Sequence, residues 1–169
     1  MKKWFIISSV FIFLFTTTNV QAQKYKYYQM FIYNFTKYIQ WPSSAIQNDF
    51  VIGVIGKHEI VSELEGMAAT KKMNGKSMKV QVFDDVEQIG KCHILFIPDG
   101  KSKHLEDILA KTSNQNTLII TERNGLAKEG SAINFVVVNG KLKFELNRAA
   151  TDKANLKVSG DLAKLAILV

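Results

Sequence analysis

The chain has 169 residues, 47% of them hydrophobic, a formal net charge of +7 and a single cysteine. That is enough for one domain with a substantial core, and two prolines with no low-complexity tract or repeat offer no linker at which to divide it. The basic residues alternate with acids and apolar residues instead of gathering with aromatics, so no nucleic-acid groove is marked, and one cysteine excludes an internal disulfide.

Lys2 and Lys3 precede an apolar run from Trp4 to Phe15, and Val20-Gln21-Ala22 then has the small-residue spacing of a signal-peptidase site. Residues 1–22 are therefore expected to be a signal peptide cleaved after Ala22. The run is shorter than the roughly 20 apolar residues a membrane span needs. No cysteine follows the site to carry a lipid, so residues 23–169 are expected to be a single exported domain.

Residues 24–41 place Tyr28, Phe31, Ile32, Phe35, Tyr38 and Ile39 at three- and four-residue spacing, which predicts an amphipathic helix stopped near Pro42. All five tyrosines lie in it, so it can cover a core and still present hydroxyls to water or a partner. Phe50 to Ile55 predicts a buried strand, residues 58–69 a helix, and Asn74-Gly75 a turn into a strand from Met78 to Phe83. Cys92 to Ile97 predicts the next strand, residues 104–112 a helix, and Thr117 to Thr121 another strand. Ala132 to Val138 and Lys141 to Leu146, joined by Asn139-Gly140, predict a hairpin. Leu162, Leu165, Ala166 and Val169 share one face of an expected docked terminal helix. The fold class that follows is α/β: a single domain with a largely parallel sheet flanked by helices on both faces, a C-terminal β-hairpin and a terminal helix.

The chemistry-bearing motifs fail one by one. Gly100-Lys101-Ser102 and Gly75-Lys76-Ser77 lack the earlier glycine of a phosphate loop, having Leu95 and Thr70 there, and Gly53 with Gly56-Lys57 fits neither glycine fingerprint. Cys92 and His93 are neighbours on a strand and point to opposite faces, so they cannot be a nucleophile and its base. That leaves Cys92 free, paired between chains, or buried. His58-Glu59 lacks the second histidine of a zinc helix, having Ser62 instead, and three scattered histidines suggest no metal site. Asp84-Asp85 and Glu106-Asp107 look like helix starts and a solvated face. No catalytic residue, cofactor or metal is expected, and the chain is not expected to be an enzyme.

Several blocks occur in an order that resembles the YfiR family of exported bacterial proteins. They are Tyr33-Asn34-Phe35 with Trp41-Pro42, Ile52 to Gly56, Asn74-Gly75, Cys92 to Ile97, Gly125-Leu126-Ala127 to Gly130, Ile133-Asn134-Phe135, Phe144 to Asn147, and Leu156 to Ser159. The resemblance covers essentially the whole chain after the signal peptide. It implies a periplasmic regulator, since the namesake restrains an inner-membrane diguanylate cyclase by binding its periplasmic sensor region and outer-membrane partners relieve the restraint. Control of cyclic-di-GMP and biofilm would follow. The namesake uses disulfides, whereas Cys92 has no second cysteine to meet, so redox control through an internal disulfide is excluded here.

Two patches are candidates for partner binding. In the first, Phe144, Glu145, Asn147 and Arg148, strand alternation turns Glu145 and Asn147 one way and Phe144 and Leu146 the other. There Glu145 and Asn147 either meet a partner or cap the helix that follows. The second is Tyr33, Asn34 and Trp41, with core packing as the competing role. A homodimer is a further expectation, because aromatic-rich faces in a short chain gain from added burial. The alternative function is a periplasmic small-ligand receptor, since such sheets hold ligands at strand carboxyl ends.

Overall fold

The computed structural model describes residues 18–169, so most of the expected signal peptide, residues 1–17, lies outside the described residues. A long helix, α1 (Thr18–Tyr38), leads into a two-residue strand β1 (Ile39–Gln40). Then follow β2 (Phe50–Ile55), α2 (Ile60–Thr70), β3 (Lys72–Met73), β4 (Lys76–Phe83) and β5 (Ile94–Ile97). A 3-10 turn over 99–104 opens α3 (Leu105–Thr112), followed by β6 (Leu118–Thr121), β7 (Ile133–Val138) and β8 (Lys141–Leu146). The chain closes with α4 (Arg148–Lys153), β9 (Lys157–Val158), α5 (Gly160–Leu165) and β10 (Ile167–Leu168).

Eight strands form one sheet in the order β10-β8-β7-β6-β5-β2-β4-β3, while β1 and β9 pair separately. From β4 through β7 the neighbours run parallel, and β7–β8 is the antiparallel hairpin. The continuous apolar runs follow from burial on both faces. Phe50, Ile52, Val54, Ile94, Phe96, Leu118, Ile120, Ile133, Phe135, Phe144 and Leu146 build one core with α1 and α2, whereas Ile55, Leu95, Ile97 and Ile119 build the other with α3. Gly53 points into the second core, where a Cβ would lie 2.7 Å from the Phe83 ring and 2.8 Å from Leu95. The Asn-Gly turns behave as their sequence requires, with positive φ at Asn74, Gly75, Asn139 and Gly140. No helix among the described residues is long and apolar enough to cross a membrane.

Two ends differ from expectation. α1 stops at Tyr38, before Pro42, because Ile39 and Gln40 pair antiparallel with Val158 and Lys157. Tyr38 is therefore 41% exposed and leaves the buried stripe, which Tyr25 joins instead. The expected terminal helix ends at Leu165, which is 71% exposed, and the last residues run as an edge strand parallel to β8. Leu162 and Ala163 dock the helix in the core as expected, and backbone bonds to β8, including Val169 N–H to the Leu146 carbonyl at 3.2 Å, hold the residues after it.

Candidate functional site

In an open α/β sheet the first place to look is the crevice where the winding direction reverses. Here β4 and β5 both follow β2 and flank it, so the crevice lies at the carboxyl ends of β2 and β5. The chain's own helix fills it. Tyr25 and Tyr28 of α1 are 4% and 2% exposed, Tyr25 stands edge-on to His58 at 4.8 Å, and Tyr28 stacks on Phe135 at 4.0 Å. Beneath them the Glu122 carboxylate is buried at the end of β6, and the Lys24 ammonium meets its Oε2 at 2.7 Å. The other oxygen accepts the Asp99 N–H at 3.2 Å, and His58 Nε2 lies 3.9 Å from it. Burial alone would lower the Lys24 pKa, but the Glu122 carboxylate outweighs it and the net shift is upward. Burial likewise holds His58 below its usual value and Tyr28 above. The arrangement is an ion pair under aromatic rings, its carboxylate buried and its ammonium partly open to water.

In the first patch, Phe144, Glu145 and Asn147 make contacts within the fold. Phe144 is 2% exposed and packs edge-on to Phe35 at 5.1 Å in the core. Glu145 points to the opposite side, as alternation requires, and accepts from Asn134 Nδ2 at 2.9 Å. Asn134 Oδ1 lies 2.8 Å from the Thr121 hydroxyl, which extends this polar ladder across three strands. Asn147 does cap: its Oδ1 accepts the Ala150 N–H at 3.0 Å, while its Nδ2 donates to the Ala127 carbonyl at 2.7 Å. Arg148 is exposed. Asn147→Ala should cost about 1 to 2 kcal/mol in urea unfolding, a lost cap plus a freed carbonyl. Asn147→Asp, keeping only the cap, should recover part of it.

The second patch opens onto a groove at the other end of the sheet, by the amino ends of β2 and β5. A cavity of about 540 Å³ is lined by Thr36, Lys37, Ile39, Trp41, Met73 and Lys76 among others. A neighbouring one of about 310 Å³ shares Trp41, Pro42 and Ser43 and adds Asn155 and Lys157. Trp41 is 8% exposed and forms the floor, edge-on to Phe50 at 5.1 Å. Tyr33 is half-buried and Asn34 exposed on α1.

His93 positions that floor, a role its sequence context did not reveal. Its Nδ1 accepts the Val51 N–H at 2.8 Å, so the neutral ring carries its proton on Nε2, which donates to the Ala45 carbonyl at 3.1 Å. The ring stacks on Phe50 at 4.7 Å, and the His93 carbonyl accepts Trp41 Nε1–H at 3.2 Å. The 41–45 loop is thereby clamped to the sheet at both ends. Cys92 points the other way, is fully buried, and sits in the second core. Pairing between chains is ruled out in the folded state. Burial pushes its thiol up to about 12, so a thiol reagent at pH 8 should leave the native protein untouched and modify it once urea unfolds it. No group of three potential metal ligands occurs among the described residues.

A family model described as YfiR/HmsC-like matches residues 25–167. No curated protein matches the sequence. Among solved structures, the chain is similar to an ABC domain from Streptococcus pneumonia in complex with L-Trp, with 11% identity and a TM-score of 0.53 over 71% of this chain and 55% of that one. It is also similar to a conserved domain protein from Vibrio cholerae O1 biovar eltor, with 10% identity and a TM-score of 0.58 over 83% and 59%. At such identities the likeness shows the α/β fold alone, and the chain spans less than two thirds of either structure.

Proposed function

Because the chain belongs to the YfiR/HmsC-like family, we propose that it is a periplasmic, non-catalytic regulatory binding protein that restrains a membrane-bound signalling protein. The target on this reading is a partner such as a diguanylate cyclase, held through its periplasmic sensor region, with an outer-membrane partner able to lift the restraint. The observation that carries it is where the molecule is open and where it is closed. The strand-end crevice that a small-ligand receptor would use is stoppered by Lys24, Tyr25 and Tyr28. The groove over Trp41 is open and concave, with a floor fixed from below by His93.

Deleting the gene should raise cyclic-di-GMP and surface adhesion, and the full-length gene supplied on a plasmid should restore both. Unchanged cyclic-di-GMP and adhesion under every growth condition tried would sink the regulator reading. A metabolite panel that raised the melting temperature of the mature protein would instead favour the ligand receptor.

A further inference from the structure

The groove's rim carries one sign of charge. Lys37 and Lys76 line the larger cavity and Lys157 the smaller. Lys71 joins them, because its ammonium lies 5.7 Å from the centre of the Tyr33 ring over which Lys37 sits at 4.4 Å. Among the described residues no carboxylate lines either cavity and none of these four lysines forms an ion pair. Other lysines of the fold are neutralised locally: Lys24 by Glu122 and Lys79 by Asp49, at 2.7 and 2.6 Å.

Two ammonium groups sharing one aromatic ring repel each other, and the ring holds both, at the cost of that repulsion, beside the groove that Lys37 lines. An anion lodged between them relieves it. A concave, low-dielectric floor concentrates the field of the rim, so the groove attracts negative charge more strongly than the same lysines on a convex face would.

The backbone narrows the shape of the occupant. β1 is paired on one side only, with β9, and β3 is the last strand of the eight-stranded sheet. Both contribute residues to the groove wall, so each offers a free strand edge beside an apolar floor. An extended peptide uses such an edge by adding backbone hydrogen bonds while alternate side chains reach the floor and the rim. A bilayer surface is flat and cannot reach a recessed Trp41.

We propose that the Trp41 groove binds an extended acidic segment of a partner protein, with alternate carboxylates on Lys37, Lys71 and Lys76 and alternate apolar side chains on the Trp41 floor. This rests on the regulator reading above and names the chemistry of the contact.

The test uses the mature protein and a fluorescent decapeptide of alternating glutamate and leucine, against a lysine–leucine peptide of equal length. The acidic peptide should bind, weaken steeply between about 50 and 300 mM salt, and lose at least about tenfold in affinity to the combined Lys37→Glu, Lys71→Glu and Lys76→Glu variant. Lys103→Glu, an exposed lysine at the opposite end of the sheet, should bind as wild type does. If the triple variant melts early, the corresponding glutamine substitutions replace it. Equal binding of both peptides, or equal loss in Lys103→Glu, overturns the proposal. So does displacement of the peptide by millimolar inorganic phosphate or by phosphatidylglycerol vesicles, which would show a generic anion site or a membrane face.

Returning the triple variant to the deletion host separates the two claims. A deletion phenotype that the variant fully corrects overturns the groove proposal and leaves the regulator standing. Absence of any deletion phenotype removes the regulator, whereas the peptide measurement still reports on the groove.

Discussion

His93→Ala should lower the unfolding free energy by about 3 to 5 kcal/mol and abolish binding in the Trp41 groove. The substitution removes the acceptor of the Val51 N–H and the donor to the Ala45 carbonyl. Each backbone group left unpaired in a buried site costs about 1 to 3 kcal/mol, and the lost stack on Phe50 adds a cavity. His93→Gln, whose amide supplies one acceptor and one donor, should recover part of the loss. The pH dependence separates this role from simple packing. Burial holds His93 below its usual value, and the charge on Lys91 adds to that, so the folded state takes up a proton less readily than the unfolded chain. A depressed histidine contributes stability that is present above its unfolded value of 6.5 and lost as pH falls below it. Urea unfolding at pH 7.5 and at pH 5 should show a drop that is smaller in His93→Gln. Some of the drop should remain, because His58 is depressed in the same sense. An identical drop in the two proteins would mean that His93 is not the group being protonated.

Most strands were legible in the sequence because both faces of the sheet are covered. Phe50 to Ile55 and Ile94 to Ile97 read as unbroken apolar runs, and the Asn74-Gly75 and Asn139-Gly140 pairs adopt the positive φ that their turns demand. The terminal helix forms and docks through Leu162, but it is shorter than the spacing of Leu162, Leu165 and Ala166 suggests, because the free edge of β8 offers backbone bonds that periodicity does not register. The family resemblance located the Trp41-Pro42 block without saying what surrounds it. The rim was invisible, since Lys37, Lys71, Lys76 and Lys157 look like dispersed surface charge until β1 meets β9 and β3 closes the sheet. His93 stands beside Cys92 in the sequence, yet its chemistry is with Ala45, 48 residues earlier. Glu122 gave no signal, because nothing local marks a carboxylate whose cation comes from the first turns of α1.

Lys24→Met should destabilise the protein by about 2 kcal/mol, through a charge left without its counterion. Breaking a fully buried pair costs about 3 to 5 kcal/mol. The Lys24 side chain is 37% exposed while that of Glu122 is 2% exposed, so water screens the cation and the figure is discounted. Glu122→Gln should cost less, about 1 kcal/mol, because the neutral amide can still accept the Asp99 N–H and Lys24 can turn to solvent. The double variant should sit close to Glu122→Gln alone, giving a coupling energy of about 1 to 2 kcal/mol. The raised Lys24 value sets the sign with pH: a raised amine stabilises fully below its unfolded value of 10.5 and loses that contribution only above it, so the effect is constant across the neutral range. The damage should be local. Amide exchange in the segment around Tyr25 and Tyr28 should accelerate more than exchange in β5, since the ion pair pins the start of α1 over the strand ends while Phe35 and Ile39 hold its far end in the core. Uniform acceleration throughout the chain would show instead that the pair supports the whole fold, and that the crevice it closes cannot open independently to admit a ligand.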